Sequence, residues 1–309
     1  LGKTVTTEFA YFHPGKTANP HDTSRTPGGS SSGSAAAVAD FMAPLGFGTQ
    51  TVGSTIRPAS YCGVVGYKPS FGLIDRTGVR PLADVFDTVG LFARDVEDMA
   101  YFASVLSRRP DLRLDGRPDT PPRIGLCRTP EWPAADPDSR AALETAAKRA
   151  AKAGADVREI DLPEVFAEVG QAQETVVDYQ AATSAAYELS FHRDHVSDAY
   201  VRRAEAGMAC SPEQYDAVLA LLDTARHVFD AVMAGVDVLL MPSAPGEAPK
   251  GLQTTGDPVF NRLGTALRVP CLSVPGLRGA SGMPVGVQLL GRMHDDRRVL
   301  AAGAWLFRV

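Results

Sequence analysis

The sequence predicts an α/β fold, a large mixed central sheet with helices on both faces. Three observations lead there. Strand-like and helix-like segments alternate at both ends of the chain, which sets helices against a sheet rather than against one another. Residues 123–160 read strand, helix, strand, a plausible βαβ unit. Pro27-Gly28-Gly29-Ser30-Ser31-Ser32-Gly33-Ser34 runs straight into Ala35-Ala36-Ala37-Val38-Ala39, a tight polar turn feeding a helix. Glycine permits close approaches that a Cβ would block, a serine can cap the helix start, and alanine favours the helix itself.

The elements follow in order. Residues 1–27 read as loop and short strand, with turn chemistry at His13-Pro14-Gly15 and Asn19-Pro20-His21-Asp22. Ser34 to Met42 is a helix whose small apolar residues suit burial. A short apolar stretch, Ala43 to Phe47, leads to a second turn in which Gly53 precedes Ser54. Residues 56–60 form a helical turn and Gly63 to Tyr67 a core strand. Asp95 to Leu106 is a helix with acidic residues in its first turn, which suits the helix dipole. Arg108 to Pro122, rich in Pro, Asp and Arg, is a surface loop. Arg123 to Cys127 is a strand, Ser139 to Ala153 an Ala-rich helix closed by Gly154, and Asp156 to Ile160 a strand. Residues 162–234 are helical, broken near Ser190 to Val196 and at Ser211-Pro212. Val236 to Pro242 is a buried strand, Asn261 to Leu267 a helix, Cys271 to Pro275 and Pro284 to Leu290 two further strands, and Asp295 to Phe307 the last helix.

Composition narrows the function. With 309 residues, 44% hydrophobic and 22% charged, the chain is an ordinary globular protein with a large core; length alone would suggest about two domains. A net charge of −5 points to neither nucleic acid nor an anionic membrane. No run of about 20 apolar residues supplies a membrane span. Cys62, Cys127, Cys210 and Cys271 lie far apart in no metal-type pairing and read as reduced, mostly buried thiols of a cytoplasmic protein. His13 and His21 lack the carboxylates or cysteines that would complete a metal site, and no metal or other cofactor is expected. His192 and His195, with Asp194 between them, read as a solvated helix face.

Three ordered blocks carry a family resemblance. They are Gly28-Gly29-Ser30-Ser31-Ser32-Gly33-Ser34-Ala35-Ala36-Ala37-Val38-Ala39, then Gly48-Thr49-Gln50-Thr51-Val52-Gly53-Ser54-Thr55-Ile56-Arg57, then Tyr61-Cys62-Gly63-Val64-Val65-Gly66-Tyr67-Lys68-Pro69-Ser70. In this spacing they resemble the amidase signature family, serine hydrolases of carboxylic amides. The likeness continues through Gly78 to Ala83, Asp87 to Arg94, and Met283 to Gly291, where the family's closing strand would lie. It implies the amidase signature fold and one domain over residues 1–309. Leu1 to Ala10 resembles an internal family segment, so a part of the protein is expected ahead of Leu1.

The resemblance also implies the chemistry. Amide hydrolysis needs an activated nucleophile, a stabilised oxyanion and a proton for the departing amine. Residue for residue, Ser54 matches the nucleophile. Ser30 matches the serine that follows a cis peptide bond and passes the proton between nucleophile and a neutral lysine. The backbone N–H groups of Thr51, Val52, Gly53 and Ser54 match the oxyanion hole, and Ser31 a supporting hydrogen-bond position. The Ser30 hydroxyl is expected within hydrogen-bonding reach of Ser54. The family's lysine falls before Leu1; Lys3 and Lys16 stand in the wrong motif, and Lys68 belongs to a block with a structural role. His21 stands where many members have tryptophan in the wall of the substrate pocket. Ser32 replaces a usual glycine, Gln50 a usual aspartate, Val52 a usual glycine and Val85 a usual serine; Arg57 sits one place late. A branched side chain at position 52 limits how the oxyanion turn can bend.

The expected partner is a small-molecule amide, with a homo-oligomer possible and neither nucleic acid nor membrane involved. Two alternatives stand beside the hydrolase. One is an amidotransferase A-type subunit freeing ammonia by the same chemistry, although such subunits read Ser-Leu-Asp-Gln where this chain has Val85-Phe86-Asp87-Thr88. The other is a catalytically incomplete fragment or binding module of the same fold. A phosphate-binding loop at Gly28 to Ser34 lacks the required Lys-Ser/Thr ending.

Overall fold

The computed structural model describes residues 17–114 and 120–309. The expectations for Leu1 to Ala10, Lys3, His13 and Lys16, and for positions 115–119 of the surface loop, lie outside the described residues.

In chain order the elements are α1 (Ser32–Ala39), β1 (Leu45–Gln50), α2 (Ile56–Cys62), β2 (Val65–Lys68), β3 (Thr88–Ala93), α3 (Val96–Ser107), β4 (Arg123–Leu126), α4 (Pro137–Lys152), β5 (Asp156–Glu159), α5 (Val169–Ser184), α6 (Ala186–Phe191), α7 (Asp198–Ala209), α8 (Pro212–Val232), β6 (Val238–Pro242), α9 (Arg262–Ala266), β7 (Cys271–Arg278), β8 (Pro284–Leu290) and α10 (Asp296–Leu306). Their starts follow from local chemistry. The Asp95 side chain accepts from Asp98 N and starts α3; Asp136 does the same for Ser139 N, so α4 begins at Pro137, two residues before the Ala-rich run suggests. Ser211 and Gln214 form a reciprocal capping box ahead of α8, which is why the helical stretch breaks at Ser211-Pro212. The expected loop after α3 holds a 3-10 turn at Pro110–Leu112 that buries Leu112.

The strands form one mixed sheet in the order β1-β3-β2-β7-β8-β6-β4-β5. β4 pairs in parallel with β5 and β6; the other pairings are antiparallel. The parallel pair β4–β5, joined by α4, is the expected βαβ unit. Alternation along the strands divides the core between two faces. Val238 and Leu240 of β6 point into one apolar cluster with α3, α4 and α10, while Leu239 and Met241 point into another with α2, α5, α8 and α9. The helices therefore cover both faces. No helix among the described residues is long and apolar enough to cross a membrane.

Two strands were not legible in advance. β1, Leu-Gly-Phe-Gly-Thr-Gln, carries two glycines, and β3 is buried at every position, so neither shows alternation. They matter because β1 ends at Gln50, one residue before the turn that carries Ser54.

Candidate active site

Two turns meet at the head of α1 and α2. The first is fixed at Gly28, whose φ of +82° and a Pro58 Cα 2.8 Å from where a Cβ would stand leave room for glycine alone. The Gly29–Ser30 peptide bond is cis, as the resemblance implies. Ser31 does not cap α1 with its side chain. Its hydroxyl instead accepts from Thr49 N at 3.2 Å and donates to Thr49 O at 3.3 Å, and its N–H donates to Ser54 O at 3.3 Å. Ser31 thus ties the first turn to both β1 and the second turn. The Ser30 and Ser54 side chains are half-buried, and among the described residues neither hydroxyl hydrogen-bonds to the other or to a third group. The two turns join through the Ser31 N–H and the Ser54 carbonyl.

The second turn is held by its carbonyls. Thr51 O accepts from Gln173 Nε2 at 3.0 Å, Val52 O from Thr265 Oγ1 at 2.8 Å, and Gly53 O from Arg57 N at 3.0 Å. The corresponding donors are left alone: among the described residues no acceptor meets the N–H groups of Thr51, Val52, Gly53 or Ser54. A peptide unit is planar and trans, so a carbonyl pinned on one side sends the next N–H to the other. Three pinned carbonyls therefore orient three consecutive donors. Such uncommitted donors are rare beneath a protein surface, where backbone N–H groups are almost always paired.

The departures from the family pattern acquire reasons here. Gln50, fully buried, accepts from Thr55 N at 2.9 Å and Ile56 N at 3.0 Å with Oε1, as a carboxylate would. Its Nε2 donates to Thr265 Oγ1 at 2.9 Å, the hydroxyl that also clamps Val52 O. Val52 is not in the left-handed backbone region, so no glycine is needed there. Gly53 is different: a Cβ would lie 2.4 Å from Asn261 Oδ1. Thr51 Oγ1 donates to Asp87, whose other oxygen accepts from Leu82 N and Ala83 N. Arg57, one place late, is buried and donates to Gly29 O at 2.6 Å and Thr255 Oγ1 at 3.0 Å, bracing the first turn.

His21 Nε2 lies 3.0 Å from Cys62 O, at the C-terminal end of α2, and Ser54 lies ahead of that helix's first residue, Ile56.

Lys68 occupies a separate buried corner. Its Nζ donates to Pro69 O at 2.9 Å, and it lies directly across the β2–β7 ladder from Cys271. Burial lowers its pKa, with Cys271 and Asp296 opposing that shift; burial raises the Cys271 thiol to about 11. Among the described residues no lysine hydrogen-bonds to Ser30 or Ser54. Nor is there among them a group of three or more His, Cys, Asp or Glu side chains disposed to hold a metal ion. All four cysteines are free, three of them buried.

Gln173, Thr265 and Asn261 carried no sequence signal. Each reaches the turn from far along the chain, Gln173 from the helical stretch with the fewest motifs.

Comparison with known proteins gives the chain its relatives. The family profile described as Amidase matches residues 1–300. The A-type subunit of glutamyl-tRNA(Gln) amidotransferase from Symbiobacterium thermophilum is 32% identical over 357 aligned positions, spanning 100% of this chain and 73% of that protein. A crystal structure of an amidase superposes with a TM-score of 0.84 at 30% identity, covering 94% of this chain and 69% of the other. The structure of 6-aminohexanoate cyclic dimer hydrolase complexed with substrate gives 0.81 at 25% identity, covering 94% and 70%.

Proposed function

The chain belongs to the amidase signature family, and on that premise we propose that it hydrolyses a carboxylic amide to an acid and ammonia or an amine through a seryl acyl-enzyme. The observation that carries this reading is the row of unpartnered N–H groups at Thr51, Val52, Gly53 and Ser54 beside a free serine hydroxyl. Ser54 Oγ attacks the amide carbonyl carbon. Its proton passes through the Ser30 hydroxyl to a base, and the carbonyl oxygen takes negative charge facing the N–H row. Donors fixed in advance toward developing charge are worth about 3 kcal/mol each in acyl transfer. Collapse breaks the C–N bond, and the same proton returns through Ser30 to the departing nitrogen. Water then attacks the acyl-enzyme, releasing the acid and restoring Ser54. Ser31 keeps the two turns in register. The resemblance gives the base role to the family's lysine, whose motif none of Lys68, Lys148, Lys152 and Lys250 occupies.

A second reading rests on the relatives. Several of the most similar curated proteins are A-type subunits of glutamyl-tRNA(Gln) amidotransferases, at 30–33% identity. Such a protein would free ammonia from glutamine by the same steps, whereas a hydrolase would turn over simple amides without an accompanying chain. Treatment with a fluorophosphonate, followed by peptide mapping, tests the shared chemistry; the label is expected on Ser54. Label confined to peptides lacking Ser54 overturns the assignment. Turnover of simple carboxamides measured against glutamine then separates the two readings.

A further inference from the structure

We propose that Gln173 is a positioning residue for the oxyanion turn: its side-chain amide sets the direction of the Val52 N–H. The inference rests on the acyl-transfer reading above and assigns a role to a residue that no signature block contains. Gln173 lies in the second turn of α5 and is fully buried. Its Nε2 donates to Thr51 O at 3.0 Å, across 122 positions of sequence. Thr51 O and the Val52 N–H belong to one planar trans peptide unit and point in opposite directions. Holding the first therefore aims the second. Thr265 does the same for the Gly53 N–H through Val52 O, and Arg57 N for the Ser54 N–H through Gly53 O. Of the three clamps, only Gln173 joins the turn to the helical layer formed by α5, α7 and α8.

The other half of the Gln173 amide makes the case. Oε1 is buried and meets no hydrogen-bond partner. An unpaired buried acceptor is unfavourable, and an apolar side chain of the same length would fill the space without that penalty. A residue kept for packing alone gains nothing from the amide. Its one distinguishing capacity here is the N–H donated to Thr51. The sequence neighbours agree with a residue aimed inward: Ala172, Val176 and Val177 are buried beside it against the core.

Two variants test this in whichever form of the protein turns over amides. Gln173→Met keeps the length and removes the donor. It is expected to melt as the parent does, to lose about 10–100-fold in kcat as the N–H row loosens, and to leave KM nearly unchanged. Gln173→Glu keeps the shape and makes the donor switchable. A protonated carboxyl can donate to Thr51 O; a carboxylate cannot, and faces the carbonyl as a like partial charge. Burial should raise that carboxyl from about 4.3 by as much as several pH units. Activity relative to the parent is then expected near parity at low pH, falling through a single proton loss as pH rises. A merely structural role would not impose that one-proton dependence. Parent-like kcat in folded Gln173→Met, or a Gln173→Glu profile parallel to the parent's, overturns the proposal. Should Gln173→Met not fold, the Gln173→Glu profile carries the test alone. Ser54→Ala run alongside separates the two ideas: persistent turnover there sinks the acyl-transfer reading, whatever Gln173 does.

Discussion

Two serine-bearing corners of this molecule use the same materials to opposite ends. At the first, the turn from Thr51 to Ser54 has its carbonyls tied back, and its N–H groups and the Ser54 hydroxyl are uncommitted. At the second, Ser70 closes a buried knot around Asp296. The Asp296 carboxylate accepts from Tyr67 Oη, from Ser70 N at 2.8 Å and from Ser70 Oγ at 2.6 Å, while Ser70 Oγ accepts from His294 N at 2.8 Å. Every polar atom of Ser70 named there is committed within the fold. Both serines sit in signature blocks, so sequence alone ranks them alike. What separates them is where their hydrogen bonds go: a committed group holds structure, and an uncommitted one is available to a substrate.

The sharpest break between the corners is the pair Ser54→Ala and Ser70→Ala. Ser54→Ala is expected to lower kcat by roughly 10⁵–10⁶-fold, the scale seen when a serine nucleophile is removed. Its melting temperature should stay near the parent's, because the lost hydroxyl has no partner in the fold. Ser70→Ala should do the reverse. It leaves His294 N–H and one Asp296 oxygen short of a partner, costing about 1–3 kcal/mol of stability, with kcat little changed. Calorimetry and steady-state kinetics on both variants decide it; a Ser70→Ala protein that is stable but inactive would erase the distinction.

Next in size is Gly53→Ala, which asks whether the turn works by its shape. The new Cβ would lie 2.4 Å from Asn261 Oδ1 and 2.8 Å from Pro258 Cβ, so the turn must shift. Displacing one donor is expected to lower kcat about 10²–10³-fold. Asn261→Ala removes the obstructing oxygen, so the double variant should recover part of that loss. The non-additivity, measured as a double-mutant cycle, is the check; strictly additive effects would mean the glycine is not needed for space.

How much of this was legible in advance follows a physical line. The starts of α3 and α8 were readable because their determinants are local, Asp95 and Ser211 each capping within three residues, whereas α4 starts at Pro137 behind an Asp136 cap that the Ala-rich run from Ser139 did not mark. β6 and β8 were readable as buried apolar runs of strand length. β1 and β3 were not: the two glycines of β1 and the short run of β3, interrupted at Gly90, show neither a period-2 alternation nor a clear apolar run. The serines and the Thr51 to Ser54 turn could be marked through block spacing. The clamps could not, because Gln173 reaches Thr51 and Thr265 reaches Val52 only after the sheet and the helical layer assemble. Gln50 shows the same limit. A glutamine in an aspartate's place reads as a defect until its Oε1 is seen on Thr55 N and Ile56 N and its Nε2 on Thr265.

The smallest effect is on the pH dependence of stability, where the knot should titrate and the turn should not. Tyr67 is fully buried; burial first, then the Asp296 charge and hydrogen bond, raise its pKa well above 10. A group whose folded pKa lies above its unfolded value contributes stability that is complete below the unfolded pKa and is lost as pH rises through the folded one. Tyr67 should therefore cost stability progressively above pH 10. Tyr61, raised to about 12 by burial, acts in the same sense. So do Cys127 and Cys271, each raised from 9.0 to about 11, and their loss begins nearer pH 9. Lys68 runs the other way: burial lowers its pKa below 10.5, so its contribution grows as pH rises toward that value. The diagnostic quantity is thus the difference between parent and Tyr67→Phe. Tyr67→Phe loses one hydrogen bond to a carboxylate, about 1.5–3 kcal/mol at neutral pH, and the gap should narrow above pH 10 as only the parent is penalised. The corresponding curve for Ser54→Ala should stay flat against the parent, because no group lost there titrates. Denaturant melts from pH 7 to 11 measure both curves; a Tyr67→Phe gap that does not narrow would remove Tyr67 from the alkaline limb.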